Sequence, residues 1–270
     1  MQIPEKLRAR LKKLGIDESI YEMRSRKCVL SRAAGERVPW CDDAHYVDEN
    51  YDGALKFDPV SLVPCLALEP NNDDKILDMC AAPGTKTFIL SFLAPKAKIT
   101  ANDINPRRVM RLRANAIKYG MNCEITNVSG RLLTGSYDKI LVDAPCSGEG
   151  MINKKDKLFR HWSEKRIKFL AKKQKKLIKH AFALLKERGI LVYSTCTFSP
   201  EENEGAVDFL LKKNKNAVIE EINVPVKHAS GVTTWDKSYD GRVASCARIY
   251  PQHNGTGGFF VAKIRKTSSK

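Results

Sequence analysis

The chain has 270 residues, of which 43% are hydrophobic and 29% charged, so a packed core is expected and global disorder is excluded. Lysine and arginine total 47 against 31 aspartates and glutamates, and this net charge of +16 favours a polyanionic partner, chiefly nucleic acid, over a merely solvated basic surface. No N-terminal apolar segment and no run of roughly 18 apolar residues occurs, so we expect a cytoplasmic protein without a membrane helix.

The first predicted region is an N-terminal extension over residues 1–70. Three leucines at helical spacing followed by Gly15 predict a helix, and we expect residues 1–35 to be a basic helical piece. Residues 36–70 are mixed in pattern. A larger domain is predicted over residues 71–270.

From residue 75 onward, short apolar runs alternate with helical patterns, which is typical of an α/β fold with a mostly parallel sheet. One long helix is predicted to begin after an N-cap at Ser163 and to end at Gly189. A later helix is predicted with Pro200 in its first turn, and the segment GGFFVAKIRK predicts a last strand. Strands and helices in this order indicate helices on both faces of the sheet.

Chemically interesting residues fall at or just past the ends of the predicted strands. They are Asp78, Asp103, Asp143 and Cys196. Ligands of parallel sheets bind at the carboxyl ends of the strands, so we expect these side chains along one edge.

The segment DMCAAPGTKT, residues 78–87, follows a strand and opens a helix. Its small residues Ala81, Ala82 and Gly84 let a ligand approach the backbone, and the helix start offers free N–H groups. Asp103, 19 positions after Gly84, ends the next strand, where an acidic residue typically binds ribose hydroxyls. Neither the P-loop nor the G-x-G-x-x-G pattern is present. The loop and the acid together favour S-adenosyl-L-methionine over a turn without ligand.

The eight cysteines do not form a zinc-binding pattern, because no two have C-x-x-C spacing and no paired histidines accompany them. No metal is therefore expected. In a reducing compartment most would be free thiols packed as small apolar residues. Two follow apolar runs in similar settings and are candidates for reactivity: Cys146 in DAPCSGEGM and Cys196 in YSTCTFSPEENEGAV.

The segments DMCAAPGTKT, DAPCSGEGM and YSTCTFSPEENEGAV, in this order and spacing, resemble the RNA cytosine-5 methyltransferases of the NOP/NOL/Sun family. The resemblance extends from about residue 36 to residue 266. The segment RIYPQHNGTGGFF, residues 248–260, is similar to the C-terminal R-x-x-P-H motif of that family, with Gln252 inserted. The resemblance implies a Rossmann-like S-adenosylmethionine-dependent methyltransferase fold with a final antiparallel strand and a small N-terminal extension.

The resemblance also implies roles for four residues. The Cys196 thiolate would add to C6 of cytosine so that C5 can take the methyl group, and Cys146 would help to release the methylated RNA. Asp143 would hold the N3/N4 edge of the base. Lys86 would lie near base and cofactor and help to keep a thiolate ionised. The alternative is a buried core thiol for each cysteine and a surface lysine for Lys86.

Two residues of the implied cofactor site depart from the family pattern. Thr85 stands where glycine is usual, and Ser129 stands where an aspartate usually contacts the adenine amino group. Ser129 can accept a hydrogen bond without the charge, which predicts weaker cofactor binding than an aspartate would give. The complete set expected to bind the cofactor is Cys80, Ala81, Ala82, Pro83, Gly84, Thr85, Lys86, Asp103, Arg108, Ser129, Gly130 and Asp143.

A basic segment from Lys154 to Lys179 follows the P-C-S loop, and we expect it to contact RNA phosphates. The alternative is the solvated face of an amphipathic helix. Trp162 within it either stacks on a base or packs against the helix. A compact catalytic core suggests a monomer acting on tRNA, with ribosomal RNA as the next substrate.

Two other functions stay open. A non-catalytic RNA-binding or ribosome-assembly factor is supported by Ser129 and by the net charge, and it is opposed by the presence of both cysteines. A DNA or base-amine methyltransferase is opposed by the T-C cysteine and by DAPC in place of an N/D-P-P-Y/F loop.

Overall fold

The computed structural model describes residues 2–31 and 35–268. The predicted N-terminal helix is present. Helix α1 (Glu5–Lys13) buries its leucines, as their spacing predicts. It ends just before Gly15, whose φ of +68° lies in the left-handed region that favours glycine. Within the described residues, no helix is both long and apolar enough to cross a membrane.

A small antiparallel sheet replaces part of the helical piece predicted over residues 1–35. Its strands are β1 (Lys27–Leu30), β2 (Arg37–Val38) and β3 (Cys41–Val47), with β3 in the middle. The helical prediction is wrong from residue 27 because Cys28 and Leu30 face the main core together. Residues two apart share a face in a strand and not in a helix.

The central sheet has nine strands in the part of the chain that the structure describes. They are β4 (Lys75–Asp78), β5 (Lys98–Asn102), β6 (Glu124–Thr126), β7 (Tyr137–Asp143), β8 (Leu185–Thr195), β9 (Ala217–Glu220), β10 (Ala229–Ser230), β11 (Ala247–Ile249) and β12 (Phe259–Lys266). Their order is β6-β5-β4-β7-β8-β12-β11-β10, and β9 also pairs with β12.

The first five strands of this sheet run parallel, and β12 is antiparallel to β8. The predicted α/β fold, a mostly parallel sheet with a final antiparallel strand, is confirmed. Three short strands were not predicted: β9 and β11, which pair with β12, and β10, which pairs with β11. The order reverses between β4 and β7, which is the point where open sheets of this kind bind ligands.

Helices pack on both faces of the sheet. Neighbouring residues of β4 show this, because Ile76 belongs to one core cluster and Leu77 to the other. Helices α2 and α3 contribute to the first cluster, and α6 and α7 to the second. The helices after α1 are α2 (Leu62–Ala67), α3 (Thr85–Leu93), α4 (Pro106–Lys118), α5 (Lys155–His161), α6 (Glu164–Leu184), α7 (Glu204–Lys213) and α8 (Pro251–Asn254).

Helix α6 begins as predicted but ends five residues before Gly189. The Ser163 hydroxyl accepts a backbone N–H of the first turn at 3.2 Å, which makes it the N-cap. The predicted end is wrong because the chain from Leu185 onward is already strand β8, and Leu185 pairs with Tyr137 of β7. Sheet pairing thus overrides the helical pattern at this point.

Helix α7 begins at Glu204, four residues after the predicted start at Pro200. The intervening residues form a turn. The Asn203 side chain explains the late start, because its Oδ1 accepts the Thr195 hydroxyl at 2.5 Å and its Nδ2 donates to the Thr197 carbonyl oxygen at 2.9 Å. Because the turn before α7 is not helical, the carboxylates that it carries can reach the loops that precede the helix.

The N-terminal extension shares its core with the central sheet. Cys28, Leu62 and Leu68 lie in the same cluster as Ile76 and Leu141 of the central sheet. The division of the chain at residue 70 stays a prediction.

Candidate active site

Four predicted site residues lie at the carboxyl ends of neighbouring parallel strands. Asp78 is the last residue of β4, and Asp143 is the last residue of β7. Asp103 directly follows β5, and Cys196 directly follows β8. These strands are neighbours in the order β5-β4-β7-β8, so the four residues meet at one edge of the sheet, as predicted.

The loop between β4 and α3 is folded back by backbone hydrogen bonds. The Ala81 N–H donates to the Asn102 carbonyl oxygen at 2.7 Å, and the Gly84 N–H donates to the Ala81 carbonyl oxygen at 2.8 Å. Gly84 has a φ of +112°, and a Cβ there would lie 2.9 Å from Leu112 Cδ1. Glycine is therefore required at this position, and α3 begins directly after it at Thr85.

Asp103 and Arg108 join this loop in one cluster. The Asp103 side chain is 2% exposed, and its Oδ2 lies 2.9 Å from Arg108 Nη1. Its Oδ1 accepts the Asn105 N–H at 2.9 Å. Arg108 also donates to the carbonyl oxygen of Ala82, which precedes Pro83 in a cis peptide bond. The acid predicted for ribose thus lies beside the loop predicted for the cofactor.

Asn102 belongs to this cluster and was missed in the sequence. Its Nδ2 donates to the carbonyl oxygens of Met79 at 3.2 Å and Val128 at 3.1 Å. Its Oδ1 accepts the Thr126 hydroxyl at 2.9 Å and the Val128 N–H at 3.1 Å. One buried amide therefore connects the loops that follow β4 and β6. An asparagine directly before the strand-end acid was the signal that could have indicated it.

The predicted Ser129 and Gly130 lie against the same loop. A Cβ on Gly130 would be 3.2 Å from Met79 Cγ, which shows how closely the two loops approach. Ser129 is half-buried, and its hydroxyl makes no hydrogen bond to any residue that the structure describes. Burial raises the pKa of the Cys80 thiol, so Cys80 is a neutral thiol in this wall.

These residues fit an adenosine-type cofactor. Asp78 is fully buried, and the Thr87 hydroxyl donates to its Oδ2 at 2.8 Å. Its Oδ1 has no hydrogen-bond partner among the described residues. Burial raises the pKa of Asp78 to about 7. A buried, unpartnered carboxyl oxygen beside a loop of small residues offers an acceptor to a polar ligand group.

A cavity of about 230 Å³ opens at the ends of β7 and β8, and its lining includes Lys86, Asp143, Cys196 and Phe259. Lys86 Nζ lies 2.8 Å from Asp143 Oδ2 and 5.1 Å from the centre of the Phe259 ring. The Ser194 hydroxyl donates to Asp143 Oδ1 at 3.0 Å. Because a cavity of about 150 Å³ holds benzene, a pocket of this size accommodates a single pyrimidine ring.

Lys86 carries its positive charge in the wall of this cavity. Its side chain is 11% exposed, and burial by itself disfavours the ammonium form. The attraction of Asp143 and the hydrogen bond to it outweigh burial, so the pKa of Lys86 is raised. Cys196 adds to the same shift. The pair Lys86–Asp143 is therefore a charged pair next to the T-C cysteine.

The two candidate cysteines are in direct contact. Cys146 Sγ and Cys196 Sγ lie 3.2 Å apart, and both are free thiols. The hydrogen bond to Cys196, followed by burial, raises the pKa of Cys146. Cys146 therefore keeps its proton, and either sulfur can be the donor of the hydrogen bond between them. Cys196 lines the cavity, whereas Cys146 is absent from the described lining.

Glu149 connects the loops of the two cysteines and is buried, with 2% of its surface exposed. Its Oε2 accepts the Thr197 hydroxyl at 3.0 Å and the Phe198 N–H at 3.1 Å. Its Oε1 accepts the Ser199 hydroxyl at 2.9 Å and the Trp162 indole N–H at 2.8 Å. Four donors thus converge on one buried carboxylate. Trp162 thus packs inward, which is the second of its two predicted roles.

Glu202 reaches the P-C-S loop from the other side. Its Oε2 accepts the Ser147 N–H at 3.0 Å and the Gln174 side-chain N–H at 2.8 Å. Its Oε1 has no partner in the part of the chain that the structure describes. Burial raises the pKa of Glu202 to about 7.

Arg248, from the C-terminal motif, holds the T-C loop through a buried ion pair. Its side chain is 1% exposed, and its Nε and Nη2 lie 2.6 and 2.7 Å from the Glu204 carboxylate. Its Nη1 donates to the Phe198 carbonyl oxygen at 3.0 Å. The structural roles of Glu149, Glu202, Glu204 and Arg248 were not predicted. The row of carboxylates after Cys196 was the available signal.

Glycines bring three loops together in the wall of the cavity. The Gly150 N–H donates to the Cys196 carbonyl oxygen at 2.9 Å, and the Gly258 N–H donates to the Gly150 carbonyl oxygen at 2.9 Å. A Cβ on Gly150 would lie 2.3 Å from the Gly258 carbonyl oxygen, so no side chain fits there. The Gly257 N–H donates to Asp58 Oδ2 at 3.0 Å, which ties the N-terminal extension to the same point.

A groove of about 1290 Å³ adjoins the cavity. It runs between residues 21–27 and 46–49 of the extension and residues 152–157. Of the predicted basic segment, Lys154, Lys155 and Lys157 line it. The segment therefore begins beside the candidate site, as expected, and its contact with phosphates stays a prediction.

A sequence model of the family described as 16S rRNA methyltransferase RsmB/F matches residues 65–265, most of the chain. The chain belongs to this family. It is 37% identical over 249 residues to a tRNA (cytosine(49)-C(5))-methyltransferase of Pyrococcus abyssi, covering 86% of this chain and 80% of that relative. It is 34% identical over 262 residues to the ribosomal RNA small subunit methyltransferase F of Shewanella denitrificans, covering 86% of this chain and 49% of that relative. The chain thus spans about half the length of the latter enzyme.

Solved structures agree with this family. NSun6 from Pyrococcus horikoshii, solved with SFG, is 35% identical with a TM-score of 0.68, covering 79% of this chain and 53% of that one. A methyltransferase homologue from Pyrococcus horikoshii is 26% identical with a TM-score of 0.79, covering 98% of this chain and 100% of that one. The predicted NOP/NOL/Sun family, the enzyme class of RNA (cytosine-5)-methyltransferase and S-adenosyl-L-methionine as cofactor are confirmed. Among the described residues, no group of three or more His, Cys, Asp or Glu side chains could hold a metal ion.

Proposed function

We propose that this family member methylates C5 of a cytosine in tRNA through a covalent bond between Cys196 and C6 of the base. One observation carries the proposal: Cys196 lines the same base-sized cavity as Lys86 and Asp143, while Cys146 lies 3.2 Å behind it with its proton retained. A nucleophile must reach the substrate, and a proton donor behind it must not compete for the same position.

Each residue of the cavity has a task in this reaction. The Asp143 carboxylate accepts a hydrogen bond from the N3/N4 edge of cytosine and orients the ring. The Lys86 ammonium lines the same cavity as Cys196 and offsets negative charge on the adduct. Addition of Cys196 at C6 then makes C5 electron-rich, as an enamine carbon is.

S-adenosyl-L-methionine supplies an activated methyl group when it is bound. The loop from Cys80 to Thr85, Asp103, Arg108, Ser129 and Gly130 would hold it, next to Lys86 and Asp143 of the cavity. The adjacency of the cofactor cluster and the cavity along one sheet edge supports this assignment.

Cys146 acts in product release. After methyl transfer, a base takes the C5 proton, the electron pair of the C5–H bond re-forms the C5=C6 double bond, and the C6–Sγ bond breaks so that Cys196 leaves as a thiolate. The Cys146 thiol, 3.2 Å away, stabilises that leaving thiolate by donating its hydrogen bond. Without Cys146, the adduct would break down more slowly.

We infer tRNA as the substrate from the relative at 37% identity, whose own length is 80% covered, since only about half of the ribosomal RNA relative is matched. We expect a cytoplasmic monomer. Ribosomal RNA is the second candidate, because the family description and several relatives name it.

The test is to incubate the purified chain and S-adenosyl-L-methionine with unmodified tRNA and, separately, with small ribosomal subunit RNA, and to map 5-methylcytosine by bisulfite sequencing. We expect one or a few tRNA cytosines to be converted. If 5-methylcytosine formed in ribosomal RNA alone, the substrate would be ribosomal RNA, the second candidate. Tight RNA binding with no methyl transfer to either would contradict the catalytic proposal and favour a binding factor.

A further inference from the structure

We propose that Lys27 and Lys154 form a phosphate clamp at the rim of the base cavity, which holds the RNA backbone on either side of the target cytidine. The proposal rests on the proposed function, since it concerns how the same RNA substrate enters the same site. It assigns a role in substrate binding to β1 of the N-terminal extension.

The cavity and the large groove are continuous at this rim. Five residues line both of them: Ser25, Lys27, Ile152, Asn153 and Lys154. The groove has a volume of about 1290 Å³, whereas the cavity, at about 230 Å³, has the size of one base. A strand lying in the groove could therefore direct a single flipped base into the cavity past these residues.

The two sides of the rim are joined by hydrogen bonds. The Ser25 N–H donates to Asn153 Oδ1 at 3.2 Å, and Asn153 Nδ2 donates to the Ser25 hydroxyl at 2.6 Å. Behind them, the Tyr21 hydroxyl donates to the Glu149 carbonyl oxygen at 2.9 Å, which connects the extension to the P-C-S loop. Lys27 and Lys154 are therefore brought to the same opening by a fixed bridge between their segments.

Neither lysine has an ion-pair partner among the described residues, and of the cations that line the groove these two also line the cavity. Arg26 is paired with Glu36 at 2.6 Å, and Lys56 donates to the Glu49 carbonyl oxygen at 2.5 Å. Unpaired ammonium groups at a rim are available for phosphate. A flipped nucleotide needs its backbone held while the base leaves the stack, and phosphate contacts supply that position without reading sequence.

The test uses Lys27→Gln, Lys154→Gln and the double variant, with Lys98→Gln as the matched control. Lys98 is an exposed lysine at the first residue of β5, the end of the strand opposite to the site. RNA affinity is measured between 50 and 200 mM salt, together with kcat and KM for RNA and the affinity for S-adenosyl-L-methionine. These salt limits span the range over which phosphate contacts weaken strongly.

We expect each single variant to weaken RNA binding about 3- to 10-fold at low salt and to lower the slope of log affinity against log salt by about 1. The KM for RNA should rise while kcat and cofactor affinity stay near those of the wild type. A double variant with the affinity and slope of the control would overturn the clamp. Absence of methyl transfer by the wild type would instead contradict the proposed function, and the binding data would still decide the clamp. Lys154 is exposed, so its variant is expected to fold even if Lys27→Gln does not.

Discussion

The cofactor loop and the cysteine loops lie at the same edge of the sheet, but they are held in different ways. The cofactor loop is fixed by neighbours close in sequence, such as Asn102 and Arg108. The cysteine loops are fixed by buried charged groups from distant parts of the chain, such as Arg248 on Glu204, 44 residues away. We infer that the cofactor end is a local unit, whereas the geometry of the cysteines depends on the complete fold.

The largest expected effect comes from Glu149→Ala, which removes the acceptor that joins the two cysteine loops. Its buried donors would lose their partner, at about 1–3 kcal/mol for each unsatisfied group. We expect the free energy of unfolding to fall by at least about 3 kcal/mol, as measured by urea denaturation. Methyl transfer should also fall at temperatures where the variant remains folded.

The matched control is Glu187→Ala, at an exposed position of β8. It should change the free energy of unfolding by no more than about 0.5 kcal/mol. Equal stability of the two variants would mean that Glu149 does not connect the loops.

Asp103→Asn tests the cofactor end. It keeps the shape of the side chain but removes the charge that pairs with Arg108 and is proposed to bind ribose. We expect the dissociation constant for S-adenosyl-L-methionine to rise roughly 10- to 100-fold, as measured by calorimetry, because hydrogen bonds to charged groups contribute about 1.5–3 kcal/mol. RNA affinity should not change.

Asp73→Asn is the control for this variant, since Asp73 is exposed in the turn before β4. A local cofactor unit predicts that Asp103→Asn affects the cofactor alone. If it also weakened RNA binding to the cysteine side, the contrast between the two regions would not hold.

The contrast between the cofactor loop and the cysteine loops also explains which parts of the site could be predicted from the sequence. The loop from residue 78, Asp103 and Arg108 lie within one strand–helix–strand–helix unit, where spacing relates directly to position. The edge at which Cys196 and Asp143 meet also follows from that alternation, whereas the order of the strands was not predicted.

The supports of the cysteine loops could not be predicted in this way. Arg10 and Glu201 are 191 residues apart and pair at 2.6 Å, which no local pattern indicates. The misplaced ends of α6 and α7 have the same origin. Pairing with β7 makes Leu185 part of a strand, so α6 ends before it. The side-chain hydrogen bonds of Asn203 place the start of α7 later than predicted.

Glu202 should make stability depend on pH. Its pKa is about 7 in the folded protein against an ordinary 4.5, so the folded state binds the proton more tightly than the unfolded state. Its contribution is therefore fully present below about pH 4.5 and is lost as the pH rises toward 7, at up to about 1.4 kcal/mol per pH unit.

Glu202→Gln removes this loss. Its amide oxygen can still accept from Ser147 and Gln174, and its NH2 group would take the place of the oxygen that has no described partner. We expect the variant to gain stability relative to the wild type between pH 5 and pH 8 in urea unfolding. Parallel pH curves for the two proteins would show that the carboxyl does not titrate in this range.

The smallest expected effect is that of Ser129→Asp at the cofactor end. The Ser129 hydroxyl has no partner among the described residues, so a carboxylate there is free to take a ligand's amino group. We expect cofactor affinity to rise by a few-fold, about 1 kcal/mol or less. Unchanged or weaker affinity would contradict the account of Ser129.

The central claim, that Cys196 is the nucleophile and Cys146 assists its release, is tested most directly by covalent trapping. The wild type, Cys146→Ala, Cys196→Ala and the control Cys123→Ala are incubated with tRNA and S-adenosyl-L-methionine, and denaturation-resistant protein–RNA complexes are counted on a gel. We predict that Cys146→Ala accumulates the complex and that Cys196→Ala forms none, with Cys123→Ala behaving as the wild type. Accumulation by Cys196→Ala and not by Cys146→Ala would reverse the two roles and contradict the assignment made from the cavity.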